Sequence, residues 1–195
     1  MSLHTPPRML PSTGHHWTYE DRNRMQEIIS NHLFLGPFGC GKDLNLLKSR
    51  AITDIVLARS SSESAFLKPR SMENGIQYHV IEIEDSVVES SAHAMTKFLH
   101  FMTSRTDADR VLVLGMSGMN RSATLVAIYL IEKFLLSPES AIEYLITRRR
   151  CVGISVNLKR QLLEFSTARA AAALAAGNPT ERRKRRIEND VVEIG

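Results

Sequence analysis

The chain has 195 residues, of which 43% are hydrophobic and 24% charged, and its formal net charge is +4. This length and apolar content predict one globular domain that buries a core without disulfides or a structural metal. Its two cysteines, Cys40 and Cys151, exclude a disulfide framework and a zinc cluster and are typical of a reducing compartment. No apolar run reaches the roughly 18 residues of a membrane span, and the modest charge does not indicate a nucleic-acid-binding protein.

The two ends of the chain differ in composition from its middle. Residues 1–20 are polar and proline-rich, so they bury too little surface to offset the entropy of ordering. We therefore predict a flexible leader over 1–20, a folded domain over 21–176 and a polar basic tail over 177–195.

Apolar patterning within the domain predicts strands that alternate with helices. Strands are predicted over 32–35, 52–58, 78–83 and 111–114. Helices are predicted over 43–49, 91–103, 122–134, 138–149 and 157–176. Pro138 after Ser137 is a typical first helical position. This alternation favours an α/β fold with a mainly parallel sheet covered on both faces.

The chemistry of the chain is concentrated between the fourth predicted strand and the helix that follows it. Backbone N–H groups at a helix start have no internal partner, and the helix dipole is positive there, so such a loop binds anions. Gly118 permits tight curvature, Arg121 can grip two phosphate oxygens, and Ser122 can donate into the loop or cap the helix. The candidate phosphate-binding residues are Met116, Ser117, Gly118, Met119, Asn120, Arg121 and Ser122.

The same loop has no nucleophile. An enzyme that accepts a phosphoryl group on a cysteine in such a loop requires a low-pKa thiolate, and Gly115 has no side chain. Cys151 follows three arginines, which leaves it as an alternative nucleophile beside the simpler prediction of a core cysteine. Asp85 follows the strand that ends at Ile83 and is the candidate general acid, the alternative being a turn or helix-cap residue.

Several segments resemble the dual-specificity phosphatase family, from about Met25 to Phe165. They are Leu33-Phe34-Leu35-Gly36, Ala51-Ile52-Thr53-Asp54-Ile55, Arg121-Ser122-Ala123-Thr124-Leu125-Val126 and Gln161-Leu162. The family loop reads H-C-x5-R-[ST], which places Leu114 in the histidine slot and Gly115 in the nucleophile slot. The resemblance implies a phosphotyrosine-phosphatase-like fold with four to five central strands flanked by helices. It also puts Asp85 in the general-acid slot and Arg121 in the phosphate-gripping slot.

Within the family, the chain is most similar to pseudophosphatases whose loop also carries glycine instead of cysteine. Arg148-Arg149 with Cys151 supports this likeness. Two features depart from the pattern: those relatives retain the histidine that Leu114 replaces, and residues 154–158 replace the family's P-N-x-G-F segment, which normally buttresses the loop.

The predicted function is therefore a catalytically inactive phosphatase-like domain that binds phosphorylated or kinase-pathway proteins as a regulator or scaffold. The resemblance implies partners such as mitogen-activated protein kinases or ubiquitin-ligase subunits. A weak phosphatase and a phosphate-independent adaptor remain as alternatives. We expect no cofactor, metal, nucleic acid or membrane partner, a monomer, and a location in the cytoplasm and nucleus.

Three other signals have competing interpretations. Gly36 to Asp43 nearly matches a nucleotide-binding loop, but Asp43 replaces the hydroxyl that binds magnesium, so a glycine-rich surface turn is predicted instead. Residues 148–150 are three arginines that either attract an acidic peptide or favour a helix C-terminus. The candidate nuclear-import block, with a solvated charge run as the alternative, is Arg182, Arg183, Lys184, Arg185 and Arg186.

Overall fold

The computed structural model describes residues 18–68 and 75–175. The basic block at 182–186, the tail and almost all of the predicted leader lie outside the described residues. Among the described residues, no helix is long and apolar enough to cross a membrane.

Five strands form the central sheet in the order β1-β2-β5-β3-β4. The strands are β1 Gln26–Ile29, β2 Leu33–Pro37, β3 Asp54–Arg59, β4 Gln77–Glu82 and β5 Val111–Gly115. The last four are mutually parallel, whereas β1 pairs antiparallel with β2 at the edge. The predicted mainly parallel sheet is confirmed.

Strand β1 was missing from the sequence prediction. It is a four-residue segment that starts with two polar residues, Gln26 and Glu27, so its apolar signal is weak. Asn31 adopts the left-handed conformation (φ 53°) between β1 and β2, which turns the chain back on itself. The edge strand therefore depends on a tight turn and on pairing rather than on a local apolar pattern.

Six α-helices surround the sheet in the part of the chain that the structure describes. They are α1 Tyr19–Arg22, α2 Leu44–Ser49, α3 Val88–Thr103, α4 Arg121–Phe134, α5 Pro138–Arg148 and α6 Val156–Ala175. Helix α5 begins at Pro138, as predicted, and the Ser137 side chain caps it by accepting from the Ser140 backbone N–H. Two short 3₁₀ helices complete the fold, Phe38–Lys42 and Ser61–Ala65.

Each face of the sheet has its own hydrophobic core. Helices α3 to α6 pack on the face that carries Val111 and Val113 of β5. Helix α2 and the 3₁₀ helix Phe38–Lys42 cover the opposite face, which carries Leu112 and Leu114. This alternation follows from the two-residue period of a strand. Residues 122–131 of α4 are all buried, so the start of α4 is held rigidly behind β5.

The glycine-rich segment Gly36 to Asp43, which starts in the last residues of β2, is the predicted surface turn only in part, since Gly39, Lys42 and Asp43 are exposed. Gly36, Pro37, Cys40 and Gly41 are all buried. A Cβ added at Gly36 would lie 3.0 Å from the Cβ of Met25, which leaves little room for a side chain there. These residues are buried because glycine at positions 36 and 41 lets neighbouring residues pack directly against the backbone.

Candidate functional site

Strand β5 and helix α4 frame a short loop at the carboxyl edge of the sheet. Gly115 ends β5 in register with Pro37 of β2, and Arg121 opens α4. Gly118 in the loop has φ +66°, and a Cβ there would lie 2.4 Å from the Gly36 carbonyl. Only glycine fits such a conformation and approach. The predicted strand–loop–helix arrangement is therefore present, and its tightest point rests against the end of β2.

Ser122 occupies the space that a side chain at residue 115 would need. A Cβ built on Gly115 would lie 2.8 Å from Ser122 Oγ and 3.2 Å from Ser122 Cβ. Ser122 is 0% exposed, and its hydroxyl has no hydrogen-bond partner among the described residues. Neither of its two predicted roles is therefore observed in the described residues: the hydroxyl donates to no group of the loop, and Asn120 holds the N-cap position. A side chain at residue 115 would need Ser122 to move.

Leu114 does not face the loop. It is 1% exposed and packs in the core on the opposite face of the sheet, with Ile55 and Leu57. Its Cδ1 would lie 2.7 Å from a Cβ added at Gly41. The residue in the predicted histidine slot is thus part of the hydrophobic packing of the domain.

Arg121 is held between two carboxylates. Its Nη1 donates to Glu63 Oε1 at 3.0 Å, and its Nε lies 2.7 Å from Asp85 Oδ1. The second contact is an ion pair, since neither atom has a well-aligned hydrogen bond. All three side chains are largely shielded, with exposures of 24%, 14% and 28% for Arg121, Glu63 and Asp85. Charges in such a setting interact more strongly than on an open surface.

Asp85 belongs to the loop site rather than to a helix cap. Its Oδ2 accepts from Asn120 Nδ2 at 2.7 Å, and its backbone carbonyl accepts from Gln161 Nε2 at 3.2 Å. The following helix, α3, begins after Val87 without a side-chain cap. Of the alternatives to a general acid, the helix cap is therefore wrong, whereas Asp85 does lie in a turn, and its carboxylate faces Arg121.

Residues 153–155 brace the loop through their backbone. The Ser155 N–H donates to Asn120 Oδ1 at 2.8 Å, and the Gly153 N–H donates to the Met119 carbonyl at 3.1 Å. Backbone bonds survive changes of side chain, so the departure of 154–158 from the family pattern leaves the loop supported.

Arg149 is the central support of the loop, a role that sequence reasoning did not assign to it. It is 0% exposed and donates to the carbonyls of Ser117 and Gly118 at 2.9 and 2.8 Å. On its other side it donates to the carbonyls of Arg22 and Arg24 at 2.9 Å each and to the Gln26 side chain. Burial lowers the pKa of Arg149, and the positive charge of Arg22 acts in the same direction. Of the two alternatives for 148–150, attraction of an acidic peptide is therefore wrong for Arg149, whereas Arg148 and Arg149 do lie at the C-terminus of α5.

Comparisons with known proteins now identify the family. The model of the dual specificity phosphatase catalytic domain matches residues 33–168. The chain belongs to the dual-specificity phosphatase family. It is 34% identical over 158 residues to serine/threonine/tyrosine-interacting protein B of Xenopus laevis, covering 76% of this chain and 67% of the relative. It is 33% identical over 152 residues to the human serine/threonine/tyrosine-interacting protein, with the same coverage.

Solved structures of the family agree with the fold. The crystal structure of the human tyrosine phosphatase-like serine/threonine/tyrosine-interacting protein superimposes with a TM-score of 0.63 at 28% identity. The match covers 75% of this chain and 97% of that structure. The PTPMT1 structure matches with a TM-score of 0.61 at 25% identity, covering 76% and 99% of the two chains. The predicted phosphatase-like α/β fold is confirmed.

The cysteines of this dual-specificity phosphatase relative lie in poor settings for thiolate chemistry. Burial raises the pKa of the Cys40 thiol, which is 5% exposed and donates to the Asn23 carbonyl at 3.4 Å. Burial also raises the pKa of Cys151, and it outweighs the opposing effect of Arg149. Both thiols are therefore less ionised at neutral pH than a free cysteine.

One flank of the loop is rich in acidic groups. Glu84, next to Asp85, accepts from the Ser61 N–H at 2.6 Å, and this bond lowers the pKa of its carboxyl. Glu63 lies in the same 3₁₀ helix as Ser61 and uses Oε2 to accept from the Ser60 N–H at 2.9 Å. Sequence reasoning missed Glu63, because nothing near it in the chain marks it as a partner of Arg121. Groups of three or more metal-binding side chains do not occur in the described ranges.

Proposed function

We propose that this chain is a catalytically inactive dual-specificity phosphatase relative that regulates or scaffolds phosphorylated or kinase-pathway proteins by binding them. The observation that supports this is Gly115 at the head of an otherwise complete strand–loop–helix cradle, with Ser122 occupying the adjoining space. The closely similar serine/threonine/tyrosine-interacting proteins have names that describe interaction.

The chemistry of the loop favours binding over turnover. A phosphatase of this family attacks phosphorus with a thiolate and protonates the leaving oxygen with an acid. Here a residue occupies the acid position, Asp85, but Gly115 offers no atom for attack. The backbone amides at the start of α4 and the Arg121 guanidinium still provide anion-binding groups. Loss of a thiolate from the cradle also removes its repulsion of a phosphate.

Two measurements test the proposal together. We expect no hydrolysis of an aryl phosphate above background, and measurable affinity for phosphotyrosine or phosphoserine peptides. Arg121→Ala should weaken phosphopeptide binding about tenfold or more, because it removes a charge-assisted contact. Arg169→Ala is the matched control, since Arg169 pairs with Glu132 at the far end of α4. Equal peptide affinities for the wild type and Arg121→Ala would rule out phosphate recognition by this loop, and turnover lost in Cys151→Ser would point to a weak phosphatase.

A phosphate-independent adaptor is the second candidate function. It is favoured by the internal pairing of Arg121 with Glu63 and Asp85, which satisfies the guanidinium without a ligand. Pull-down from cell extract with the wild type beside Arg121→Ala separates the two candidates. Capture of mitogen-activated protein kinases or ubiquitin-ligase subunits that survives both Arg121→Ala and prior phosphatase treatment of the extract would favour the adaptor.

A further inference from the structure

Three carboxylates lie on one flank of the single arginine in the loop. Asp85 and Glu63 pair with Arg121 directly, and Glu84 is close enough to influence it. They come from two segments that follow neighbouring strands, the 3₁₀ helix after β3 and the turn after β4. The carboxyl ends of parallel strands lie at the same edge of a sheet, so the fold itself brings these acids to the mouth of the cradle.

A phosphate that uses Arg121 must compete with these groups. Asp85 contacts Nε at 2.7 Å, and Nε is one of the nitrogens through which an arginine binds two oxygens of a phosphate. A bound phosphate would therefore either displace Asp85 from the guanidinium or lie beside its negative charge. Both arrangements leave shielded negative charge without enough compensation.

The neutral contacts of these acids do not solve this problem. Asp85 would keep its bond from Asn120, and Glu63 would keep its bond from the Ser60 N–H. These donors satisfy lone pairs but carry no positive charge. Two further arginines border the region without pairing with these carboxylates: Arg59 pairs with Glu82, and Arg22 contacts the thioether of Met119 in the loop. A cation supplied by the ligand would restore the balance.

We propose, building on the proposed function, that the loop selects phosphorylated segments that carry an arginine or lysine next to the phosphorylated residue. The phosphate binds the Arg121 guanidinium and the backbone amides of the loop. The neighbouring basic side chain pairs with the carboxylates of Asp85 and Glu63, which the phosphate has displaced from Arg121. Asp85, in the general-acid position of the family, thus becomes a specificity-determining residue.

The test uses three phosphotyrosine peptides that differ only in the residue after the phosphotyrosine, which is arginine, alanine or glutamate. Their affinities are measured by calorimetry for the wild type, Asp85→Asn, Glu63→Gln and Arg121→Ala. Glu132→Gln is the matched control, because it removes one carboxylate from an arginine ion pair at the far end of α4. Thermal unfolding of each variant confirms that it is folded.

We expect the wild type to bind the arginine peptide about fivefold or more tightly than the alanine peptide, with the glutamate peptide weakest. Asp85→Asn should bind the alanine peptide more tightly than the wild type does and lose most of the preference for arginine. Glu63→Gln should reduce the preference by less, and Glu132→Gln should retain it.

Failure of this inference differs from failure of the proposed function. Equal wild-type affinities for the three peptides, or a preference unchanged in Asp85→Asn, would overturn the inference. The proposed function would still stand in that case if Arg121→Ala loses phosphopeptide binding. Affinities that Arg121→Ala does not alter would overturn both.

Discussion

The two ends of the loop contrast with each other. At the strand end, Leu114 packs in the far core, Gly115 lacks a side chain and Ser122 lies against it. Toward the helix end, Gly118 has the left-handed conformation that the tight turn of the loop requires, and Arg121 faces Asp85. The strand end thus carries no side chain at residue 115, whereas the tight turn and the arginine at the start of α4 are present. The reason is that bonds which shape the cradle also stabilise the fold, and a nucleophile does not.

The test with the largest expected effect removes Arg149, which supports the loop. Arg149→Met should lower the free energy of unfolding by about 3–5 kcal/mol, because it leaves several buried carbonyls without donors. Arg149→Lys should recover only part of the loss, since an ammonium cannot reproduce the planar fork. Denaturant titration measures both, with exposed Arg150→Met as the control. An Arg149→Met protein as stable as this control would show that the cradle is supported otherwise.

A second test addresses the turn itself. Gly118→Ala should cost about 2 kcal/mol or more, because the added Cβ meets the Gly36 carbonyl at 2.4 Å in a left-handed conformation. Gly39→Ala is the matched control, since nothing lies within 4 Å of a Cβ there. Thermal unfolding should separate the two substitutions clearly. Similar melting temperatures for both would mean that the contact between the loop and β2 yields readily.

The third test adds a thiol at the strand end. Gly115→Cys should restore little aryl phosphate hydrolysis and destabilise the domain by about 1 kcal/mol, because its Cβ would lie 2.8 Å from Ser122 Oγ. Gly115→Cys with Ser122→Ala should be more stable than the sum of the single changes predicts. Activity of Gly115→Cys alone that equals active family members would show that the scaffold had retained full catalytic competence.

The smallest effect concerns the native thiols. Burial raises the pKa of both Cys40 and Cys151, so their thiolate fractions at pH 7 are lower than that of a free cysteine. At pH 7, iodoacetamide should therefore modify Cys151 about threefold or more slowly than a free cysteine, and the rate should rise as the pH increases. Faster modification than that of free cysteine at pH 7 would restore Cys151 as a candidate nucleophile.

The elements near the loop were predictable because their signals are local. Each signal comes from a few consecutive residues. The signals are the apolar run of β5, the glycine in the loop, and Ser137-Pro138 at the start of α5. Strand β1 was not predictable in this way, since two of its four residues are polar and its existence depends on pairing with β2.

The partners of the site residues were harder to predict than the site residues themselves. Asp85 and Arg121 were both expected at the site, but the pairing of Arg121 with Glu63 joins residues 58 positions apart in the chain. The three arginines at 148–150 carry no sign of which one is buried. Only the position of α5 beside β1 directs Arg149 toward the loop and the segment before β1.

The sequence by itself determined the order of strand, loop and helix, the arginine at the start of α4 and the missing side chain at Gly115. These are properties of consecutive residues. Tertiary structure decided that Leu114 faces the other core, that Arg149 supports the loop, and that Asp85 and Glu63 occupy Arg121. The physical reason is that a buried charge must find partners wherever the fold provides them, and the order of strands in the sheet sets which distant segments meet at its carboxyl edge.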